Sequence, residues 1–387
     1  MINSIQRRWH ATRDGLRLGF TLTEVLIMIA IVGLLLSLSV PAVQHAREAS
    51  RRFQCASNLH QIGVALQNYQ QKFLGLPPSM IWGPPGEPLG MGLVPIGVVD
   101  RVSFGLAPAS EPDRVYANWA VMLLPYLDEM PLYKAFDLKV PMHDPRNETA
   151  RSTEVALMKC PSDPHALAKN HFQRAENWDL GYARGNYAMN FGTNQSCLMR
   201  LSKQKEPIGG CIDGFQVDGS SLISNTRRVW GSGVGGVNRS VQFREFESGL
   251  TKTVAVEEVR AGVNPLDRRG TWALGFVGSS VTAGHGIHGD DGGPNNQNDS
   301  SDDIQGCIAL VKKVGKSKLT LERMPCSSTS DPHRELSLQA TARSQHPDGV
   351  QILMADGSVH FVEDLIDQDI WHNMHKRDRQ APFELPF

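Results

Sequence analysis

The sequence predicts an α+β protein in which a long N-terminal helix packs on a globular domain that contains an antiparallel β-sheet and long loops. Residues 25–43 carry no charge, and residues 44–75 continue them with an amphipathic helical pattern. Residues 76–387 are punctuated by Gly and Pro and contain several short β-prone runs. Two of these runs flank Asp356-Gly357, which is a strong signal for a hairpin.

The composition limits the classes of function. The chain has 387 residues, enough to bury a sizeable core in one large domain or two small ones. Its 39 Lys and Arg nearly balance its 40 Asp and Glu, so we expect no protein-wide basic surface for nucleic acid. With 36 Gly and 23 Pro, the chain is expected to be rich in loops.

The N-terminal residues fit a segment that crosses a membrane once. Residues 1–19 are polar and basic, and residues 25–43 form an uncharged run of 19 residues. At ~1.5 Å per residue this run matches the thickness of the hydrocarbon layer. Because the basic flank comes first, the N-terminus is expected in the cytoplasm and the large remainder outside it. A secretory signal peptide or a plain signal anchor would leave the residues just before the run unexplained.

Those residues read Gly-Phe-Thr-Leu-Thr-Glu at positions 19–24 and resemble the cleavage and methylation signal of type IV prepilins. The resemblance implies that a prepilin peptidase cuts between Gly19 and Phe20 and methylates the new amine of Phe20. A lone carboxylate such as Glu24 is costly at membrane depth. The resemblance implies that it pairs with the Phe20 amine of a neighbouring subunit during assembly. Pro41 matches the proline that kinks the first helix in many pilins.

This signal divides the chain into a leader of residues 1–19, a transmembrane helix of residues 20–43, an amphipathic stem helix of residues 44–75 and an extracytoplasmic domain of residues 76–387. Leu76-Pro77-Pro78 is expected to end the stem helix. The whole helix would have about 50 residues and a length of ~75 Å.

The large domain shows weaker patterns. Helical spacing interrupted by proline predicts two short helical pieces within residues 119–133. The runs 349–355 and 358–362 predict a hairpin, whose type I′ turn needs positive φ at Asp356 and Gly357. Residues 363–376 are expected to form a closing amphipathic helix. Further candidate strands are residues 186–191, 240–246, 253–259 and 308–314.

Five blocks spread over the chain resemble a large bacterial family, domain of unknown function 1559. The resemblance implies a pilin-like architecture and a C-terminal motif of His346, nine further residues and Asp356-Gly357, within residues 346–362. The family usually has an Asp-Gly-x-Ser-Asn turn where this chain has residues 247–251. The matching blocks are residues 51–63, 123–128, 160–163, 186–190 and 346–357.

An even number of cysteines in an exported domain permits up to three disulfides, with 15 possible connectivities. Six buried thiols are the alternative. Cys55 and Cys160 lie in blocks that match the family, so we expect them to pair and tie the stem to the domain. Proximity in sequence suggests the other two pairs. The six candidates are Cys55, Cys160, Cys197, Cys211, Cys307 and Cys326.

No metal site is assigned from the sequence. The loop of residues 284–303 is rich in Asp and His and could hold Ca²⁺ on ligand type, but its spacing does not match an EF-hand. The pairs His285/His288 and His372/His375 suggest zinc, but neither has an indicated third ligand.

Catalytic residues are likewise not assigned. His346 and Asp356 could form an acid–base pair, but no nucleophile is indicated nearby, and the turn explains Asp356-Gly357 structurally. The favoured function is a non-enzymatic pilin-like or pseudopilin-like subunit of a type IV pilus or a type II secretion-like machine. Its expected partners are prepilin peptidase, other pilin-like subunits and the bacterial inner membrane, without nucleic acid. The alternative is a binding or enzymatic domain that uses the helix only as an anchor.

Overall fold

The computed structural model describes most of the chain as an α+β protein. The described residues are 21–82, 115–173, 181–193, 200–201, 207–208, 232–236, 240–285, 292–327, 339–377 and 383–387. The predicted leader, residues 1–19, lies outside them, as does most of the long connection between residues 76 and 114.

Within this part of the chain the first helix is by far the longest, with 52 residues. The other α-helices have four to eight residues each, and single turns of 3₁₀-helix separate several of them. The α-helices are α1 (Leu22–Phe73), α2 (Trp119–Leu123), α3 (Met130–Ala135), α4 (Glu148–Arg151), α5 (Cys307–Val314), α6 (Lys316–Leu321) and α7 (Gln368–Met374).

Nine strands lie in the described ranges. They are β1 (Met80–Trp82), β2 (Val115–Asn118), β3 (Tyr187–Asn190), β4 (Arg200–Leu201), β5 (Pro207–Ile208), β6 (Val254–Glu258), β7 (Val281–Thr282), β8 (Gly349–Met354) and β9 (Val359–Glu363). The main sheet has the order β7-β3-β6-β8-β9, with β6 at its centre. Its neighbours pair antiparallel except β3 and β7, which are parallel, so the sheet is mixed.

The chain divides into two compact units, residues 1–49 and residues 50–387. In the first unit, every large apolar side chain from Leu22 to Val43 is exposed. By length and composition this part of α1 is apolar enough to cross a membrane. The helix continues through Pro41, and the kink expected there stays a prediction.

In the second unit, the later turns of α1 pack one face into the largest apolar core. Gly63 allows this close approach, because a Cβ at this position would lie 2.8 Å from Cδ1 of Leu353 in β8. The other face of the sheet carries a smaller core, where Trp371 and Met374 of α7 meet Val254 and Ile352. The residues of α1 in the large core are Leu59, Ile62, Ala65, Leu66 and Tyr69.

Two predicted strands are not strands. Residues 308–314 lie in α5 because their apolar positions recur at helical spacing, and Cys307 and Leu310 are buried. Gly306 and Gly315, both with φ of 91°, delimit this helix. In residues 240–246 the segment Phe243–Glu245 is a 3₁₀ turn, and the Glu245 carboxylate accepts a hydrogen bond from the Gln242 amide.

The closing helix is shorter than predicted. Residues up to Glu363 belong to β9, and α7 begins only after Asp367, whose side chain accepts a hydrogen bond from the Ile370 amide at 3.0 Å. An aspartate in this position satisfies a free amide of the first helical turn and fixes where the helix starts.

The hairpin β8–β9 has a three-residue loop, not the expected type I′ turn. The Gly357 amide donates to the Met354 carbonyl at 3.0 Å, and the Met354 amide donates to the Ser358 carbonyl at 2.8 Å. Gly357 has a φ of 96°, but Asp356 does not share the positive φ that type I′ requires. The Asp356 carboxylate instead accepts from the amide and hydroxyl of Ser358, at 2.9 and 2.7 Å. This local bonding favours a turn that ends in a left-handed glycine.

Candidate functional site

The centre of the main sheet carries two consecutive glutamates, Glu257 and Glu258, at the end of β6. Both are buried, at 0% and 1% exposure. Consecutive side chains of a strand point to opposite faces of the sheet, so the two carboxylates serve different surroundings. Buried carboxylates need partners, and each of these has histidine. We call the two groups the Glu258 cluster (Glu258, His346, Cys55, Cys160) and the Glu257 cluster (Glu257, His285, His375).

The Glu258 cluster lies beside the stem helix. Cys55 of α1 is bonded to Cys160, the pair expected from the family blocks. The Nε2 atom of His346 lies 3.4 Å from the Cys160 sulfur and 3.3 Å from a Glu258 oxygen. The other Glu258 oxygen accepts from the Gln351 amide at 2.8 Å. The side chain of His346 therefore contacts residues far away in sequence, whereas local hydrogen bonding was expected.

A neighbouring amide joins two of the family blocks. Asn186 accepts a hydrogen bond from the Cys160 amide at 3.0 Å and donates to the Asp163 carboxylate at 2.7 Å and to the Val259 carbonyl at 3.1 Å. The same Asp163 oxygen accepts from the Ala261 amide at 2.7 Å. These bonds satisfy the Asn186 amide and the Asp163 carboxylate oxygen, so these blocks have a structural role in holding Cys160 in place.

The Glu257 cluster lies on the opposite side of β6, next to α7. Its three members come from β6, from the segment after β7 and from the C-terminal end of α7, and all are 0% exposed. The Nε2 atom of His285 lies 3.0 Å from one Glu257 oxygen, and that of His375 lies 2.8 Å from the other. The two imidazole rings are stacked, with centroids 3.7 Å apart. The Nδ1 atom of His375 lies 2.7 Å from the Trp371 carbonyl oxygen.

In the Glu257 cluster, the two histidines and burial have opposite effects on the pKa of Glu257. Burial alone would raise the pKa of Glu257, but the charges and hydrogen bonds of the two imidazoles outweigh it, and the pKa lies below its ordinary value. Burial lowers the pKa of His375, and the adjacent His285 lowers it further, against the opposing effect of Glu257. The carboxylate is therefore held ionised beside two imidazoles.

Both clusters bring together groups that can bind a metal ion. In each cluster one potential ligand atom per residue lies within 4.8 Å of the others. In the Glu258 cluster two of these atoms are already used by the disulfide. The Glu257 cluster offers two imidazole nitrogens and a carboxylate, a donor set that suits zinc and related ions.

Sequence reasoning missed the Glu257 cluster. It paired His285 with His288 and His375 with His372, whereas the structure brings together one histidine from each pair and adds Glu257 as a third group. The available signal was Glu257-Glu258 at the end of an apolar β-prone run. Two adjacent charges in a run that is otherwise buried indicate carboxylates with specific partners.

The other predicted site residues lie apart from these clusters or outside the described residues. His346 precedes β8, while Asp356 and Gly357 follow its other end, about 20 Å away by strand length. Glu24 caps α1 together with Thr21. Cys307 is bonded to Cys326. The structure does not describe four of the predicted site residues, which are Gly19, Phe20, Cys197 and Cys211.

Described residues of the loop 284–303 do not gather around one cation position. The Asp302 carboxylate is buried and lies 2.8 Å from Arg269 and 2.8 Å from Arg343. Asp299 pairs with Lys316. These carboxylates have cationic protein partners, so the possibility of Ca²⁺ in this loop gains no support from them. Three further candidates of the loop, His288, Asp290 and Asp291, are not among the described residues.

Comparison with known proteins supports the resemblance noted in the sequence. The chain has no significant match among curated proteins or among solved structures. Residues 44–369, which include the Glu258 cluster, the C-terminal hairpin and two members of the Glu257 cluster but not His375, match the family described as a protein of unknown function, DUF1559. The match covers most of the chain, and the chain therefore belongs to the DUF1559 family.

Proposed function

We propose that the chain is a pilin-like structural subunit, anchored in the bacterial inner membrane by the first part of α1, with its large domain outside the cytoplasm. The observation that carries the proposal is the continuous exposure of apolar side chains from Leu22 to Val43 on a helix whose later turns are buried in a folded core. An exposed apolar surface of this size needs lipid or other protein to cover it. Membrane insertion followed by packing against other copies would supply both.

The second support is the position of Glu24. It lies at the start of the apolar segment, where a carboxylate is tolerated when it has a partner. In the subunit its carboxylate accepts hydrogen bonds from the amide and hydroxyl of Thr21, both at 2.8 Å, and its own amide donates to that hydroxyl at 3.3 Å. This reciprocal arrangement is a capping box. Glu24 therefore has a local role that a test of assembly must separate from a role between subunits.

Two substitutions make this separation. Glu24→Gln removes the charge but leaves an oxygen that can still accept from Thr21, because glutamine also serves in capping boxes. Thr21→Val keeps the charge and removes the capping hydroxyl. We expect the Glu24→Gln protein to insert into membranes and to lose its cross-linked multimers, and the Thr21→Val protein to assemble like the wild type. The measurement is in situ cross-linking of subunits in native membranes.

The outcome also decides between the two functions considered for the chain. Multimers of Glu24→Gln at the wild-type level would show that the charge is not an assembly contact. Equal loss in both variants would assign Glu24 to helix capping alone. If the wild-type chain forms no multimers, the domain is merely anchored, and a binding or enzymatic role outside the cytoplasm becomes the better hypothesis.

A further inference from the structure

We propose that the Glu257 cluster binds one divalent transition-metal ion, with zinc as the best fit, through the Glu257 carboxylate and the Nε2 atoms of His285 and His375. This inference concerns the large domain and is independent of the proposed assembly function. The three groups are fully buried and converge from three separate segments of the chain.

Hydrogen bonding of His375 supplies the first argument. A carbonyl oxygen can only accept, so the 2.7 Å contact between Nδ1 and the Trp371 carbonyl places a proton on Nδ1. In the neutral ring, Nε2 then carries a lone pair, and this lone pair faces a Glu257 oxygen at 2.8 Å. Two lone pairs at this distance repel each other unless a proton or a metal ion lies between them. Histidine ligands of metals typically donate their other N–H to a backbone carbonyl in this way.

The second histidine brings another ring nitrogen to the same carboxylate. The Nε2 atom of His285 faces the same carboxylate at 3.0 Å, and its ring stacks on that of His375 at 3.7 Å. A single metal ion bound to both nitrogens and to the carboxylate satisfies all three groups at once. The competing arrangement is one extra proton shared within the cluster.

The distances and donor types select the class of ion. Bonds of ~2.0–2.2 Å in tetrahedral geometry place the ligands of zinc about 3.3–3.5 Å apart. The observed separations of 2.8 and 3.0 Å would have to open by a few tenths of an ångström, and the stacked rings would have to tilt so that both nitrogens point at one ion. Two imidazoles and one carboxylate match zinc and its neighbours, whereas Ca²⁺ requires six to eight oxygen ligands. Three protein ligands leave the fourth position of zinc for water or another group.

Because the site is buried, we expect the ion to stabilise the fold. It would fasten the end of α7 to the centre of the sheet, joining residues that are 118 positions apart in sequence, from Glu257 to His375. Because binding favours the folded state, the ion should raise the melting temperature of the protein.

The first test uses the full-length wild-type chain in detergent. Elemental analysis of protein purified without added metal should find roughly one zinc ion per chain. Removal by chelation during mild unfolding should lower the melting temperature by about 5 °C or more, and added Zn²⁺ should restore it. Protein that carries no zinc, and whose melting temperature does not respond to added Zn²⁺, would overturn the proposal in favour of a shared proton.

Variants then locate the ion. His375→Gln and Glu257→Gln should lose the bound zinc and the response to added Zn²⁺. His346→Gln is the matched control, because it alters a buried histidine beside the adjacent Glu258 and should retain zinc. Zinc kept at the wild-type level in His375→Gln and Glu257→Gln would exclude this site. If either variant fails to fold, the wild-type measurements above still decide.

Discussion

At Gly357 in the β8–β9 loop, the backbone conformation, and not the surrounding space, limits which residues are tolerated. Its φ is 96°, and a Cβ added there would meet no atom within 4 Å. Substitution therefore introduces conformational strain without a steric clash. The left-handed region costs an ordinary L-residue roughly 1–2 kcal/mol, and asparagine less.

We therefore expect Gly357→Ala to lower the free energy of unfolding by about 1 kcal/mol, and Gly357→Asn to lower it less. Urea denaturation of both variants beside the wild type measures the difference. A Gly357→Ala protein as stable as the wild type would show that the loop can rearrange at no cost. Loss of a measurable activity without loss of stability would instead place a functional site at this turn.

For these individual residues, the sequence predicted which of them form the loop but not the geometry of the loop. Asp356-Gly357 marked the hairpin correctly, whereas the choice between a two-residue and a three-residue loop depended on the bonds from Asp356 to Ser358. The Glu257 cluster was harder to foresee, because its members are 28 and 90 positions apart, from Glu257 to His285 and from His285 to His375. Only the pairing of β3, β6 and β7 and the docking of α7 bring them together.

At the level of elements, the predictions succeeded where one pattern dominated. The long helix, the helical pieces after Trp119, the strands near residues 187–190 and 254–258 and the C-terminal hairpin all occur in the structure. The failure at α5 has a physical cause: its sequence, rich in valine and isoleucine, has strand propensity, but its apolar positions match a helical period and bury Leu310. Burial of that face outweighs the intrinsic preference.

Disulfides connect these elements across very different loop lengths. The bond between Cys55 and Cys160 closes a separation of 105 residues, and the bond between Cys307 and Cys326 closes 19. In the chain-entropy description the longer loop restricts the unfolded chain more. It is expected to contribute about 4–5 kcal/mol, against about 3 kcal/mol for the shorter one.

Replacing Cys55 and Cys160 by alanine should therefore destabilise the domain more than replacing Cys307 and Cys326. Chemical denaturation of the two double variants makes the comparison, and peptide mapping without reduction checks the pairing. An equal or reversed order of stability would indicate that packing around the bonds, and not the loop length, determines their contribution. A peptide map that joined Cys55 to another cysteine would contradict the pairing itself.

For the whole molecule, the decisive measurement is the mature N-terminus. If the chain is processed as a prepilin, residues 1–19 are removed and the protein begins at N-methyl-Phe20. Mass spectrometry of the N-terminal peptide from native membranes should then detect a methylated Phe20. An intact leader would favour a simple signal anchor, and a terminus near Ala42 would indicate removal of the apolar segment as a signal peptide.

The order of contacts along α1 has a mechanical consequence. Going along α1 from its exposed apolar part towards the domain, the first buried residue is Cys55, and the apolar stripe from Leu59 to Tyr69 follows it. Tension applied to the N-terminal part of the helix therefore reaches the covalent bond to Cys160 before it reaches the buried apolar stripe. While that bond is intact, the tension is transmitted to the domain at Cys160. The apolar stripe of α1 is then not pulled away from the core. If this bond is reduced, the same tension would separate α1 from the domain one helical turn at a time.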